Sequence, residues 1–394
     1  MELLRLSFTG KVQHEQRRLA RHTIARVIDW QGNEAERAVK LEPETFTRFT
    51  EHDALGRMTR LANWHRNPQH VAVYTPVYNE RGALAAEDLS IGANWNNGEP
   101  TLGTKTWRAV HGITYNAKGQ RTQLRHGNGT ESRYDYDPLT FRLKQLRTTR
   151  PASDLPFPGF HSNLSDDRVV QQLRYTYDAA GNITEIEDEA WAPVFFRNQA
   201  VEARNLYVYD ALHRLIEATG RESASLSGAP AALRDAFVVD SFPSDHALRN
   251  YRQRYIYDTV GNFITMQHIA DSGSWIRHYE TATDSNRLLR TWEGADRWED
   301  TTATNKITYA YDRHGSMLNL ANVPEAARIR WDWRDMIEGM DLGGGGHAWY
   351  AYDSGKQRTR KHIERLGGMV EERLGLHKKS SRFMPALVKE GQTA

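Results

Sequence analysis

Cysteine is absent from all 394 residues of the sequence. This absence excludes disulfides, thiolate metal sites and cysteine nucleophiles, and it leaves the cellular compartment open. Neither sign of charge is in excess, because 52 lysines and arginines face 50 aspartates and glutamates. The basic residues are scattered along the chain, so no footprint for a phosphate backbone is visible and we expect no nucleic-acid partner.

Long hydrophobic runs are also missing. No stretch of the sequence approaches the roughly 18 apolar residues of a membrane helix, so we expect no membrane span. Residues 1–23 lack the apolar segment of about 7–15 residues that a secretory signal needs, so we expect no signal peptide. A mean hydropathy of −0.72 and an aromatic share of 10% are typical of a chain that folds.

One short pattern recurs along the chain: two aromatic residues separated by one residue, then Asp, then two or three residues and Gly. A further copy stands at 52–57. Degenerate copies stand at 78–82, 115–119 and 331–334, the last with Arg334 aligned to the Asp position. The distance between Asp positions sets a unit of roughly twenty residues. The residues assigned to the motif are Tyr134, Tyr136, Asp137, Tyr175, Tyr177, Asp178, Gly181, Asn182, Tyr207, Tyr209, Asp210, Tyr255, Tyr257, Asp258, Gly261, Asn262, Tyr309, Tyr311, Asp312, Gly315, Trp331, Trp333, Tyr350, Tyr352, Asp353 and Gly355.

This pattern predicts a β-hairpin. Two rings spaced two residues apart point to the same side of an extended chain, which is the period of a half-buried strand. The Asp side chain can accept hydrogen bonds from the backbone that follows it, and Gly supplies a positive φ at little steric cost. We therefore expect a loop of about four residues built around a type I turn, followed by a returning strand. One repeat is one hairpin, and many hairpins side by side form an antiparallel sheet.

The repeated tyrosines and aspartates are interpreted as scaffold, because a residue repeated for its turn geometry is not a single active site. The alternative is that rows of exposed rings bind carbohydrate or a partner protein, since rings can stack on sugar faces. Rings in an outer row would favour that alternative. A cleft with converging carboxylates and histidines would favour a third class, an enzyme.

The rest of the sequence contains no recognisable catalytic or ligand-binding motif. The glycine run Gly343–Gly346 precedes a strand pattern and lacks the Lys-Ser/Thr of a phosphate loop, so it is interpreted as a flexible turn. Gly127–Gly129 is interpreted as hairpin chemistry. Asp166 and Asp167 could bind a cation, but a solvated loop is the simpler interpretation. We expect no catalytic residue, no cofactor and no metal site.

The repeats resemble the YD repeats of bacterial Rhs proteins, of the C component of insecticidal toxin complexes and of animal teneurins. The resemblance covers roughly residues 45–372 and is specific at Glu51–Leu61, Ile113–Thr122, Tyr134–Leu143, Tyr209–Glu222 and Trp331–Asp335. It implies an all-β fold, an extended antiparallel sheet of stacked YD-repeat hairpins coiling into a partial hollow shell, with loop insertions. It also implies a non-enzymatic container wall, whose partners are the B component of a toxin complex or a toxin polypeptide held as cargo.

The domain organisation follows from the repeats. Residues 1–44 are expected to be a partial repeat or strand region, and residues 45–372 the YD-repeat array, with insertions near 151–168 and 222–250 and a short helix near 230–237. Residues 373–394 are basic, lack the repeat and are expected to be a disordered tail. The self-cleavage motif of the family, DPxGxxG-like, is not found, so the sequence is interpreted as an incomplete fragment without autoproteolysis or toxin cargo. Such a chain would be secreted within a toxin complex, or cytoplasmic if it is a remnant.

Overall fold

The computed structural model describes residues 2–6, 10–18, 31–65, 71–96, 99–101, 103, 105–154, 162–224, 248–320, 329–343, 345–352, 355–365, 370–374 and 388–390. In these residues the protein is nearly all β-structure, which confirms the predicted fold class. The chain divides into two compact units. Unit 1 comprises Met1–Glu131, Asp332–Met340 and Gly344–Ala394, and unit 2 comprises Ser132–Trp331 and Asp341–Gly343.

Unit 1 begins as an antiparallel meander. Its elements are β1 (Glu2–Leu6), β2 (Val12–Arg17), α1 (Glu34–Val39), β3 (Phe46–His52), β4 (Met58–His65), β5 (Val71–Tyr78), β6 (Leu84–Ala93), β7 (Trp95–Asn96), β8 (Glu99–Pro100), β9 (Lys105–Tyr115) and β10 (Arg121–His126). The strands pair in the order β1-β2-β3-β4-β5-β6-β9-β10, and β7 pairs with β8.

Unit 2 is a second meander. The chain continues through β11 (Glu131–Tyr136), β12 (Leu143–Thr149), β13 (Val169–Tyr177), β14 (Ile183–Asp188), β15 (Val194–Phe196), β16 (Gln199–Val201), β17 (Arg204–Tyr209), β18 (Leu215–Ser223), β19 (Leu248–Tyr257), β20 (Phe263–Ile269), β21 (Trp275–Thr281), β22 (Leu288–Glu293), β23 (Thr304–Thr308), β24 (Ile329–Trp331) and β25 (Ile337–Gly343). Strands β12-β13-β14-β17-β18-β19-β20-β21-β22-β23 pair antiparallel in that order. Short 3-10 helices lie at Ala152–Asp154 and Asp271–Gly273.

Strand β25 lies mostly in unit 1, through Ile337–Met340, and the last strands belong to unit 1 as well. They are β26 (Gly346–Tyr352), β27 (Arg358–Glu364), β28 (Val370–Leu374) and β29 (Val388–Glu390), each antiparallel to the next. Strand β29 differs from the disordered tail expected over 373–394, because its backbone pairs with β28. No helix in the described part of the chain is long and apolar enough to cross a membrane.

The helix α1 was not predicted from the sequence. Asn33 accepts a hydrogen bond from the backbone N–H of Glu36, and the Glu36 carboxylate accepts one from the backbone of Asn33. This reciprocal capping box satisfies two backbone donors that a helix start would otherwise leave open. The helix buries no side chain, so its stability comes from local capping and it left no apolar periodicity to detect.

The two expected insertions are only partly described. Residues 162–168 contain bends and a turn, and residues 155–161 lie outside the described residues. Residues 225–247, which include the helix expected near 230–237, lie outside the described residues, as does Asp353.

The two faces of the unit 2 sheet differ in character. One face carries the tyrosines, and there Tyr207 aligns with Ala218, Gln253 and His268 across neighbouring strands. The opposite face carries an ion-pair ladder on its more exposed side chains. Arg204 bonds to Glu185 at 2.6 Å, and Arg254 bonds to Glu217 at 3.0 Å. Alternating burial of this kind fixes the register, because a slip of one residue would exchange the two faces.

The hydrophobic core of unit 1 lies between β3 and β6. Phe49, Ala62, Val71, Val73 and Ala93 are buried there and pack together, and Trp95 packs against them. The rings of Phe49 and Trp95 meet edge to face with centroids 6.2 Å apart, a geometry that aromatic pairs prefer.

Replacement of Phe49 by Ala should destabilise unit 1 by about 3–5 kcal/mol, because it removes a ring that is 1% exposed and leaves a cavity. Leu55→Ala is the matched control, since Leu55 is 79% exposed and its loss should change the free energy of unfolding by less than about 0.5 kcal/mol. Urea denaturation followed by fluorescence measures both. Equal midpoints for the two variants would contradict the assigned core.

A repeated tyrosine clasp as the candidate functional site

The aspartate of the motif holds the turn together through hydrogen bonds to its side chain. The Oδ1 atom of Asp178 accepts hydrogen bonds from the backbone N–H groups of Gly181 (2.7 Å) and Asn182 (2.9 Å), and Asn182 Nδ2 donates to Asp178 Oδ2 at 2.8 Å. Asp258 makes the same set of bonds with Gly261 and Asn262. Gly181 has φ +105°, which an L side chain rarely adopts.

A second form of the turn replaces asparagine by arginine. Asp210 accepts from the backbone N–H of Arg214 at 2.9 Å and from its Nε at 2.7 Å, and the Asp53–Arg57 turn has the same two distances. His213 stands where glycine stands elsewhere, with φ +60°. Arginine and asparagine therefore donate equivalent hydrogen bonds to the turn carboxylate. They differ in the other groups that their side chains contact.

These hydrogen bonds stabilise the ionised carboxylates. The Asn182 and Asn262 amides, followed by backbone N–H groups, hold the pKa values of Asp178 and Asp258 below the ordinary aspartate value. The backbone N–H of Arg214, followed by its side chain, lowers the pKa of Asp210. At neutral pH the aspartate of each of these turns is therefore ionised and accepts the hydrogen bonds that hold the turn.

In seven repeats the tyrosine just before the turn residue clasps the preceding hairpin. Its hydroxyl donates a hydrogen bond to the backbone carbonyl of the first residue of a returning strand, at 2.7–2.9 Å. The sequence pattern predicts a scaffold role for these rings but does not reveal the role of their hydroxyls. The donor and acceptor pairs are Tyr78 to Met58, Tyr115 to Leu84, Tyr177 to Leu143, Tyr209 to Ile183, Tyr257 to Leu215, Tyr311 to Leu288 and Tyr352 to Ile337.

An arginine beside the acceptor completes the clasp. The guanidinium of Arg214, the residue before Leu215, lies over the Tyr257 ring at 4.9 Å from its centroid, and its Nη1 donates to the carbonyl of Asp258 at 3.1 Å. Arg142 does the same to the Tyr177 ring and the Asp178 carbonyl. Cation–π contact and hydrogen bond thus tie one turn to the next. Arg57 over Tyr78 and Arg287 over Tyr311 make the ring contact.

The clasping hydroxyls are protonated at neutral pH, and burial strengthens this preference. Burial raises the pKa of Tyr177, Tyr209, Tyr257 and Tyr311 above the ordinary tyrosine value near 10. A hydroxyl that stays protonated can donate to its carbonyl throughout the neutral range, so the clasp does not depend on pH there.

The copy at 331–335 is displaced from its predicted register by two residues. Asp332, not Arg334, is the turn residue, because its carboxylate accepts from the backbone N–H groups of Arg334 (2.8 Å) and Met336 (3.0 Å). Trp331 takes the place of the clasping tyrosine and donates its Nε1–H to the Met317 carbonyl at 2.8 Å. Trp333 lies at the tip of the turn and is 90% exposed.

The first ring of each repeat has other contacts. Tyr255 packs against Phe263 with centroids 6.0 Å apart, and the hydroxyl of Tyr309 bonds to Thr291 Oγ1 at 3.1 Å. Tyr134, Tyr175, Tyr207 and Tyr350 occupy equivalent places on their strands and are partly buried. The structure thus separates the two tyrosines of the motif into a packing ring and a clasping ring.

Other candidate sites do not assemble. No group of three or more metal-ligating side chains occurs among the described residues. Asp166 bonds to Arg168 at 2.8 Å, and the hydrogen bonds from that arginine lower the pKa of Asp166 to about 2, so its charge is neutralised within the chain. Gly345 has φ +79° between β25 and β26, as expected for a turn.

Comparison with known proteins supports the relation to toxin complexes. A scan against protein-family models finds no match. The chain is 35% identical over 264 residues to the toxin subunit YenC1 of Yersinia entomophaga, across 66% of this chain and 24% of the relative. It is 32% identical over 288 residues to YenC2 of the same organism, across 72% of this chain and 26% of the relative. The chain is a YD-repeat protein homologous to these C subunits.

Solved structures agree with the YD-repeat assignment. A TcdB2–TccC3–TEV crystal structure aligns with TM-score 0.72 and 26% identity, over 95% of this chain and 16% of that one. The Photorhabdus luminescens Tc holotoxin pore with a TccC3 mutation aligns with TM-score 0.72 and 25% identity over the same shares. The YD-repeat chain spans about a quarter of the length of the curated relatives it matches.

Replacement of Tyr257 by Phe should lower the free energy of unfolding by about 0.5–1.5 kcal/mol, because the Leu215 carbonyl loses its partner while the ring stays. Tyr207→Phe is the matched control on a first-position ring and should change the free energy by less than about 0.5 kcal/mol. Urea titration measures both. A loss as large in Y207F as in Y257F would contradict the clasp.

Acid should unfold the protein from about pH 4 downward. Because the folded pKa values of Asp178, Asp210 and Asp258 are depressed, their contribution to stability is full above the unfolded aspartate pKa and is lost as pH falls through the folded values. Asp258→Asn should flatten the urea midpoint against pH below about pH 4. Asp135→Asn, at an exposed strand position, should leave the slope unchanged.

Proposed function

We propose that this chain is a non-enzymatic structural wall of a toxin-encapsulating Rhs-type shell. The observation that carries the proposal is the clasp, which recurs at one position of successive hairpins in both units. It acts between hairpins and makes no binding site, so its repetition serves the continuity of a sheet. The alignment with toxin-complex structures over 95% of the chain supports the same role.

Energetics favour a wall over a set of compact domains. A net hydrogen bond contributes about 0.5–1.5 kcal/mol, and an exposed cation–π contact about 0.5–1 kcal/mol. Each clasp is therefore weak alone, but seven of them join neighbouring hairpins in the described part of the chain, so stability grows along the array. Such an array can extend without a core that thickens with length.

The proposed partners follow from the relatives. TcdB2 and TccC3 occur together in the solved complexes, so we propose a B component of a toxin complex as the partner of this chain. A toxin polypeptide is the proposed cargo of the shell to which the wall contributes. Both belong to the proposal, because the chain covers about a quarter of its curated relatives.

Catalysis has little support in the geometry. The pair most suggestive of an active site is Glu222 and His268, whose Oε2 and Nε2 atoms are 3.1 Å apart. His268 is only 5% exposed and is stacked between the Tyr251 and Trp275 rings, at centroid distances of 5.4 and 5.5 Å. An imidazole sealed between two rings serves packing, because a substrate has no approach to it.

Binding of glycans would need exposed rings in a row. The strongly exposed rings in the described part of the chain include Trp333 (90%), Phe195 (79%) and Trp107 (47%), and they belong to three different elements. The rings that do recur at one position have their hydroxyls occupied by the clasp. The repeat therefore favours the wall.

The proposed wall role can be tested with a chimeric protein. The matching quarter of YenC1 is replaced by this chain, the chimera is coexpressed with its B component, and a protease-sensitive cargo is fused at the C-terminus. The wall role predicts a cargo that survives trypsin as it does in YenC1. A matched chimera with Tyr177, Tyr209, Tyr257 and Tyr311 changed to Phe should digest faster. A folded chimera whose cargo is cut as fast as free cargo would overturn the proposal.

A further inference from the structure

The connection between β22 and β23 differs from the clasped turns. It is a loop of ten residues, 294–303, and the pairing of the two strands shifts register between Thr291 and Glu293, so Trp292 lies at a bulge. Two strands joined through a bulge and a long loop have a weaker ladder than a tight hairpin. Other contacts must hold this corner together.

Aromatic contacts attach the 294–303 loop to the sheet. Trp292 is 8% exposed, and its Nε1–H donates to the Ala295 carbonyl at 2.9 Å. Trp298, from the middle of the loop, meets Trp292 edge to face at 5.8 Å between centroids. Arg290 and Lys306 lie over the Trp298 ring at 5.1 and 5.5 Å. The loop is therefore fastened to the sheet through Trp292 and through the two cations that cover Trp298.

The other side of Trp292 is covered by a histidine. His278 of β21 is stacked on it with centroids 5.2 Å apart and planes 17° apart, and it is 8% exposed. Its Nδ1 lies 3.3 Å from Thr265 Oγ1, and its Nε2 is buried without a hydrogen-bond partner in the described structure. A neutral imidazole tolerates this place, whereas an imidazolium would leave a buried N–H⁺ unsatisfied.

Few charges face His278 to offset a positive charge. On β20 the same face carries Thr265 and Gln267, which are neutral. On β21 and β22 the neighbours Glu280 and Arg290 are paired with each other at 2.5 Å. The loop contributes Asp296, which favours the charged imidazole, and Glu299, which lies 3.9 Å from Arg290.

We propose that the corner formed by β21, β22 and the 294–303 loop is an acid-sensitive joint. Protonation of His278 breaks its packing on Trp292 and releases the loop that Trp298 fastens there. The device is a regulatory element of the fold and does not depend on the proposed wall role.

The direction of the pH effect follows from burial. Burial lowers the pKa of His278 below its ordinary value of 6.5, and Asp296 opposes this in part. The released state has the ordinary pKa, so it binds more protons. The closed state is therefore favoured above about pH 6.5, and the ratio of open to closed loop rises by up to about tenfold per pH unit as pH falls from there to the folded pKa.

The test is hydrogen exchange of peptides spanning 290–303, with rates corrected for intrinsic pH dependence, between pH 7.5 and 5.0. The wild type should lose protection below about pH 6.5, while peptides of β19 and β20 keep theirs. His278→Asn should remove this dependence. His111→Asn, at an exposed position of β9, should behave as the wild type.

A second variant keeps the proposal open to refutation if H278N folds poorly. Asp296→Asn leaves the ring packing in place and removes the carboxylate that favours the imidazolium, so it lowers the pKa of His278 in the closed loop further. Protection should begin to fall near the same pH as in the wild type, continue to fall to lower pH and be lost to a greater extent. Constant protection of 290–303 down to pH 5.0 in the wild type would overturn the joint. So would a transition that is unchanged in D296N and H278N but abolished by His268→Asn.

Discussion

The hydrogen bond from a tyrosine hydroxyl to the backbone carbonyl of the preceding hairpin is the constraint on which the rest of the repeat depends. For most copies the donor lies one residue before the turn aspartate and the acceptor five residues after the preceding one, as with Tyr257 and Leu215. Such a fixed pair of positions demands a turn of constant length. The register shift between Ile256 and Tyr257 then aims the ring toward its neighbour. Turn chemistry and bulge are both consequences of the same contact.

The clasp is defined by geometry and tolerates different residues. Trp331 donates from its indole where other repeats use a hydroxyl, and Asn182 binds the turn aspartate where others use arginine. His213 adopts a positive φ at the glycine position. Because each contact contributes only about 1 kcal/mol, single losses are absorbed by neighbouring pairs. This explains how copies with little sequence in common retain one architecture.

Local features of the repeat could be predicted from the sequence and distant ones could not. Ring spacing and the Asp-to-Gly interval report on strands and turns within eight residues, so the all-β fold followed from them. The clasp joins Tyr257 to Leu215 across 42 residues and Tyr352 to Ile337 across 15, and no fixed spacing reveals such a pair. Ring spacing predicts the wrong register at Trp331, because the hydrogen bonds to Asp332 set the position of the turn. Helix α1 depends on a capping box, which leaves no repeat signal.

The clasp also explains where insertions occur. The clasp lies at the end of the unit 2 strands where aspartate turns join them, so extra residues in those turns would break the contact. At the opposite end of the strands, connections join one hairpin to the next. The long connections of unit 2 are of this kind, at 150–168, 189–203, 224–247 and 294–303. In the described part of these connections no tyrosine clasp is present, and at 294–303 side-chain packing holds the loop. Where the packing includes a buried imidazole, as with His278 on Trp292, the proposed joint makes the stability of the loop depend on protonation, while the clasping tyrosine hydroxyls stay protonated near neutral pH.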